Sequence, residues 1–473
     1  MTATQTTKVV ETIKSVLLVV LLLITILLLC IFWGGAAFQN LLKSDLPRYE
    51  AINPIELLQP GRIEICFGGD FYTVTQNKFG VMMDCFIAFS EARNLSMEEI
   101  TEERYAEVMR RPSIKAVFDY YLPFSALCEA YGIDRIPGSD GVDAVSELGY
   151  AVDFKEQLFV FDRKASKYYR IVGSGGNSFE PLEIIIAEAE DEAGTVSYVT
   201  LRSIMGGSVE NDTLCPLSLT SDINDLAYYP ESISGPTERP SDLVKRFFSD
   251  NFDFVRRIEQ GNGTIIYMYG YGRIVVVAHA SGILEFNRED DERAAPQLRF
   301  MEALELANSF IADHGGFETE AGTIFAPYIQ EVIVDPDDKR GFRFVFGTTI
   351  NGVRIYYENS APMLVDVTGG RVSYFKRDFV NIDGSTFGNG ESREVFSAMR
   401  MLAENIEYIG EALAEAGIVA ESEISLEELI DLVTGFDCGY VRLKMSEGNL
   451  FAAWIVTIGG MEFYFDLDSG VML

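Results

Sequence analysis

The sequence predicts an α+β protein. One N-terminal transmembrane helix is followed by extracytoplasmic mixed domains of antiparallel sheets with packed helices, and the C-terminal part is built of helix-plus-strands repeats. Three observations carry this. An uncharged apolar run, VLLVVLLLITILLLCIFW, occupies Val16 to Trp33. Beyond it, alternating apolar runs ended by glycine or Asn-Gly turns are interspersed with stretches of helical periodicity. A short turn pattern, apolar-apolar-Asp-apolar-x-x-Gly-x-apolar, recurs near the ends of such units.

Extended through small residues to Phe38, the apolar run spans the roughly 30 Å hydrocarbon core of a bilayer. Phe32 and Trp33 sit where interfacial aromatics belong. A cleaved signal peptide would use Gly35-Ala36-Ala37, but the apolar core exceeds the about 7–15 residues of such peptides. A lipoprotein site fails at Leu29, a large residue directly before Cys30. The expectation is therefore an uncleaved anchor over 15–38 behind a cytoplasmic tail at 1–14. Lys8 and Lys14 before the span nearly balance Lys43 and Arg48 after it. The N-terminus is placed inside because a lone N-terminal anchor acts as an uncleaved export signal for the chain behind it. That puts the bulk of the chain outside the cytoplasm, at the cell membrane. Thr25 and Cys30 are the polar or polarizable interruptions of the span, and Gly34 to Ala37 permit close helix approach. Thr25, Cys30, Trp33, Gly34 and Ala37 are the candidate interaction residues, against the alternative of a plain anchor.

Two exterior regions are expected, 44–235 and 241–473. The boundary falls at Tyr229–Pro240, where three prolines and a glycine interrupt the pattern. The first region starts with alternation around Ile63-Glu64-Ile65-Cys66-Phe67. Helices are expected over Val81–Arg93 and from Thr101 to before Pro112. Leu158–Phe161 and Tyr168–Ile171 read as paired strands, and Leu182–Ala187 with Ser197–Leu201 repeat that pattern. In the second region Ser241 is expected to cap a helix. Phe300, Met301, Leu304, Ala307 and Ile311 mark a helix face ending at His314-Gly315-Gly316. Phe342–Phe346 and Ile350–Tyr357 form strands, the latter around an Asn351-Gly352 hairpin turn. Val395 to Leu413 reads as one helix. Ser425 and Glu428 form a capping box, with Gly435 ending that helix and strands from Tyr440 onward.

The turn pattern appears as LVDVTGGRV from Leu364, as YFDLDSGVM from Tyr464 and, with Ala278 for Asp, as VVAHASGIL from Val276. Its glycine supplies positive φ at a tight turn, and Asp366 and Asp466 are expected to bond turn amides. Gly261, Gly263, Gly270, Gly272 and Gly282 likewise punctuate strands. No helix start follows them, which removes the dinucleotide-loop reading. Gly173 to Asn177 lacks the Lys of a phosphate loop.

A formal charge of -34 argues against nucleic acid as a partner, since phosphates demand basic patches. Six cysteines form no C-x-x-C pair and read as buried small apolar residues. The two histidines, His279 and His314, lie in different units and carry no triad or metal motif; His314 sits at a helix C-terminus, where a cation is favoured. Nothing selects a catalytic carboxylate pair. Asp335-Pro336-Asp337-Asp338 lacks the closing Glu of a calcium loop. No catalytic residue, cofactor or metal is expected.

The stretch RFFSDNFDFVRRIEQGNGTIIYMYGYGRIVVVAHASGILEF from Arg246, with RRPSIKAVFDYYLPFSAL from Arg110, resembles the YycH (WalH) family. Phe247-Phe248, Val255-Arg256-Arg257, Gly263 to Tyr267 and Gly282 to Phe286 carry the resemblance. The C-terminal repeats look like the fold shared with YycI and, more loosely, like peptidase-propeptide modules. The resemblance implies a non-catalytic, membrane-anchored accessory regulator of the WalK–WalR (YycG–YycF) cell-wall two-component system of Gram-positive bacteria. The implied partners are a sensor histidine kinase of the WalK/YycG type, a YycI-like single-span protein and the membrane. The alternative is an extracytoplasmic binding module for cell-wall polymer or peptide, in the manner of a protease inhibitor. An enzyme of unrecognised type is the third reading.

Overall fold

A computed structural model describes residues 49–473 except 77, 175–177, 193–196, 222, 231–237, 290–297, 318–325, 337–339, 359–360, 383–392 and 445–447. The expected tail and anchor, with Thr25, Cys30, Trp33, Gly34 and Ala37, lie outside the described residues. Among the described residues no helix is long and apolar enough to cross a membrane.

The first sheet comprises β1 (Arg62–Gly68), β2 (Phe71–Thr75), β3 (Arg93–Ile100), β4 (Ser113–Val117), β5 (Glu147–Ala151), β6 (Gln157–Asp162), β7 (Lys167–Ser174), β8 (Ser197–Thr200) and β9 (Leu214–Ser218). Their order is β3-β7-β6-β5-β4-β1-β2-β8-β9, and all neighbours are antiparallel. The alternation of a strand decides its two faces. Ile63, Ile65, Ile114, Ala116, Leu148 and Tyr150 point to the main core. Helices Phe79–Ser90 and Glu180–Glu192 cover that face and pack on each other. The opposite face carries Glu64, Lys115 and Glu147 and is partly covered by helix Glu102–Met109, which packs on β4, β5 and β7. That helix starts where expected. The Thr101 side chain accepts from the Arg104 amide at 3.3 Å, and Glu102 and Glu103 occupy the positive end of the dipole.

One strand expectation is corrected. Leu182–Ala187 lies within helix Glu180–Glu192. Three consecutive isoleucines favour a strand by propensity, but Pro181 suits a first helical turn. Leu182, Ile185 and Ile186 then bury one helical stripe while Ile184 stays exposed.

The second sheet comprises β11 (Leu226–Pro230), β12 (Arg256–Glu259), β13 (Ile265–Tyr269), β14 (Ile274–Ala278), β15 (Ile283–Arg288), β16 (Ala326–Val334), β17 (Gly341–Ile350), β18 (Val353–Tyr357), β19 (Met363–Thr368), β20 (Arg371–Asp378), β21 (Val380–Ile382), β23 (Val433–Arg442), β24 (Asn449–Ile458) and β25 (Met461–Asp466). Its main path runs β12-β13-β14-β15-β20-β19-β17-β18-β23-β24-β11-β21, with β16 on β17 and β25 on β24. The sheet is mixed because β18 and β23 pair in parallel. A separate small ladder joins β10 (Thr220–Ser221) to β22 (Arg393–Glu394).

The glycines punctuate strands as expected. Gly270 and Gly272 take φ of 61° and 95° between β13 and β14, and Gly282 takes 91° before β15. Asn351 and Gly352, both at positive φ, turn β17 into β18. Asp466 bonds turn amides, accepting from Ser469 N at 2.7 Å. Asp366 does not; its two oxygens accept from Arg343 Nε and Nη2, each at 2.7 Å, across the β17–β19 ladder.

Three helix expectations are also revised. The helix expected at Ser241 spans Glu238–Phe248, because Pro240 is tolerated in a first turn, where the amides lack intrahelical partners. The stretch from Val395 to Leu413 holds two helices, Ala398–Glu404 and Ile406–Glu415, separated at Asn405. The Asn405 side-chain amide donates to Met401 O at 2.8 Å and Gly470 O at 2.9 Å, drawing the break towards the last turn. The capping box of Ser425 and Glu428 forms, but its helix ends at Leu432, and Gly435 lies within β23. Val433 takes extended geometry directly, so no glycine cap is used.

Helix Phe300–Asp313 joins the two halves. It packs on β17, β19 and β20 and also on helices Pro54–Leu57 and Phe124–Ala130. Asn308 donates to Ile52 O, and Arg299 Nη1 donates to Glu129 Oε1 at 2.7 Å. One apolar core therefore runs from Leu57 to Phe379, and a second surrounds Trp454. Cys66, Cys85, Cys128 and Cys215 are buried free thiols, and Cys438 is a half-buried one.

His314 at that helix's C-terminus is not the cation the dipole would favour. It is buried between Phe310 and Phe247, with ring centroids 3.9 and 4.1 Å away, and Nδ1 donates to Phe310 O at 2.7 Å. Burial lowers its pKa to about 4, against the opposing Phe310 carbonyl. The folded value lies below the unfolded one, so the stabilisation is present above about pH 6.5 and is lost as pH falls towards about 4. The expected loss is roughly 3 kcal/mol. Urea unfolding at neutral pH and at mildly acidic pH checks it: His314→Gln should flatten this part of the profile, and an unchanged profile would refute it.

Candidate functional site

The alternation that buries Ile63 and Ile65 turns Arg62, Glu64 and Cys66 to the other face of β1. The β1–β4 register sets Glu64 opposite Lys115, and Glu147 on β5 completes the cluster. Lys115 Nζ lies 3.0 Å from Glu64 Oε2 and 3.2 Å from Glu147 Oε2. Arg62 Nε donates to Glu64 Oε1 at 2.7 Å, and the Tyr105 hydroxyl donates to Glu147 Oε2 at 2.7 Å. Glu64, Lys115, Glu147 and Tyr105 line a cavity of about 280 Å³ beside helix Glu102–Met109. One wall is aromatic: Phe161 stacks on Tyr168 at 4.6 Å, and Tyr105 meets Tyr168 at 5.0 Å. The other wall carries Cys66, Tyr72, Arg110 and Asp212.

The electrostatics are those of a fixed salt-bridge floor. Burial pushes Glu64 up, but Lys115 and Arg62 outweigh it and hold the carboxyl at about 2. Burial pulls Lys115 down, yet Glu147 and Glu64 hold its pKa above the usual lysine range. Burial, followed by Glu147, raises the Tyr105 phenol well above its ordinary value. Burial also raises the Cys66 thiol. A lysine held charged is a poor base near neutral pH, and a protonated thiol is a poor nucleophile. Among the described residues, no group of three or more His, Cys, Asp or Glu is placed to hold a metal ion.

The cluster continues towards the second sheet. Arg62 Nη1 lies 3.8 Å from Asp119 Oδ1, and Arg354 Nη1 lies 3.4 Å from Asp119 Oδ2. Arg354 also donates to Gly61 O at 2.9 Å, lies over the Tyr328 ring at 4.7 Å, and faces Asp437 at 3.8 Å. Tyr356 donates to Asp437. Alternating charges thus run from the cavity floor to β18 and β23.

No family model matches the chain, and no curated protein compared with it matches. A solved structure does. The crystal structure of YycH from Bacillus subtilis superposes with a TM-score of 0.56 and 9% identity, covering 88% of this chain and 98% of that one. The chain is YycH-like in fold. An uncharacterized protein from Eubacterium rectale was also found, with a TM-score of 0.32 and 12% identity, over 54% of this chain and 86% of that one. The YycH likeness agrees with the resemblance seen in sequence.

Among the described residues, the cavity is lined by groups that sequence reading did not single out. Thr25, Cys30, Trp33, Gly34 and Ala37 lie outside the described residues. Sequence reading missed Glu64, Lys115 and Glu147. The available signal was charge at alternate positions of two otherwise apolar strands, Arg62-Ile63-Glu64-Ile65 and Ile114-Lys115-Ala116.

Proposed function

We propose that the chain is a membrane-anchored, non-catalytic regulator of a sensor histidine kinase of the WalK (YycG) type, acting with a YycI-like single-span partner through transmembrane and extracytoplasmic contacts. The observation that carries this reading is the likeness to YycH, which extends over 98% of that chain despite 9% identity. The uncharged run at 16–33 supports the anchor, with the exterior outside the cytoplasm. A single span biases a kinase only by contacting its two states with different free energies. Thr25, Cys30, Trp33, Gly34 and Ala37 are the groups in or beside the span suited to such contact, through small-residue approach and polar or aromatic interaction.

The test is co-purification from membranes of the tagged chain and of a version whose residues 16–38 are replaced by an unrelated leucine-rich span. The expected result is recovery of a histidine kinase and a second single-span protein with the native span, and their loss with the replacement. Recovery with both versions would place the contact on the exterior. Recovery with neither would refute the kinase complex.

A further inference from the structure

We infer that the cavity beside helix Glu102–Met109 binds a short unblocked peptide of two or three residues through its charged termini. The floor is electrically balanced only with Arg62, which pairs with Glu64 from outside the cavity lining, so that Glu147, Lys115, Glu64 and Arg62 alternate in sign. The unbalanced charge lies at the two ends of the helix. At one end Asp212 Oδ2 is shared by Arg110 at 3.0 Å and Arg202 at 3.1 Å, two cations on one carboxylate. Arg202 itself lies outside the cavity lining, and its Nε is buried without an acceptor among the described residues. That end suits a carboxylate. At the other end Glu102 stands beside the Tyr168 phenol and the Phe161–Tyr168 stack, a carboxylate and aromatic faces suited to an ammonium.

The spacing fits. Eight helical steps separate Glu102 from Arg110, about 12 Å along the axis. An extended tripeptide spans about 10 Å. The volume of about 280 Å³ is at the small end of ligand pockets, which excludes a long chain from full enclosure. Buried ion pairs are seldom the most stable way to fill a sheet face, because apolar side chains of similar volume serve stability as well. A polar floor under a cavity is better accounted for by recognition of a polar guest. Binding is read on the protein alone and does not depend on a kinase partner.

The experiment uses the purified full-length chain and a panel of unblocked dipeptides and tripeptides with small, aromatic and basic first residues. Thermal unfolding and titration calorimetry are the readouts. At least one unblocked peptide should raise Tm, increasingly with the logarithm of its concentration above Kd. N-acetylation or C-amidation of that peptide should each weaken binding about tenfold, the loss of one charge-assisted contact. Glu102→Gln and Arg110→Gln are exposed substitutions that leave the core untouched. Each should weaken the unblocked peptide by a similar factor. Glu102→Gln should have no further effect on the acetylated form, and Arg110→Gln none on the amidated form. No binding by any unblocked peptide, equal affinity of blocked and free forms, or indifference to both substitutions would overturn the inference.

Discussion

Replacing Lys115 by methionine is expected to destabilise the protein by about 3–5 kcal/mol, the usual result of stranding a buried charge. The ammonium lies between Glu64 and Glu147, whose side chains are 7% and 15% exposed. Glu64 keeps Arg62 at 2.7 Å, so the burden falls on Glu147, which keeps the Tyr105 phenol but loses its counter-charge. Lys115→Met with Glu147→Gln should therefore recover more than half of the loss, since it removes the stranded charge and keeps an acceptor for Tyr105. Urea unfolding at neutral pH measures both, read from the midpoint at unchanged slope. A loss below about 1 kcal/mol for the single variant would mean that the floor behaves as solvent-screened pairs, and the cavity would then lack the fixed charges attributed to it.

Arg343→Leu should cost a similar amount, about 3–5 kcal/mol. Asp366 is almost fully buried between β17 and β20, and both its oxygens are held by that one guanidinium. The double variant Arg343→Leu with Asp366→Leu should return close to wild-type stability, because the desolvation cost disappears together with the attraction. Two equally destabilised variants would show that the pair contributes shape or register rather than charge neutralisation. Asp466, which occupies the corresponding place in the repeated turn pattern, should tolerate loss of its charge far better, since its acceptors serve turn amides in contact with solvent.

These two aspartates show what is readable in the sequence. Features settled within a few residues were legible: the Asn351-Gly352 hairpin, the Ser425–Glu428 capping box, the Thr101 cap and the glycine turns. Their physics lies in local backbone geometry and short hydrogen bonds. Features settled by pairing were not. Asp366 matches Asp466 in pattern, yet the register of β19 against β17 places Arg343 opposite one of them. Glu64, Lys115 and Glu147 come from three separate strands, and nothing in each strand names its neighbour. The isoleucines at 184–186 misled for a related reason: propensity favoured a strand, while burial of one helical stripe decided the outcome.

Helix Phe300–Asp313 has a consequence for how the chain is made. The nine described strands of the first sheet have left the ribosome before this helix has been translated, although it packs against their side of the shared core. At about 5–20 residues per second, the emerging first half waits several seconds with the surface around Leu57, Phe124 and Leu127 uncovered. During that interval it is a natural client for holding chaperones. A fragment that stops short of the helix would keep that surface open for its lifetime, so residues 49–473 mature as one piece and late in synthesis.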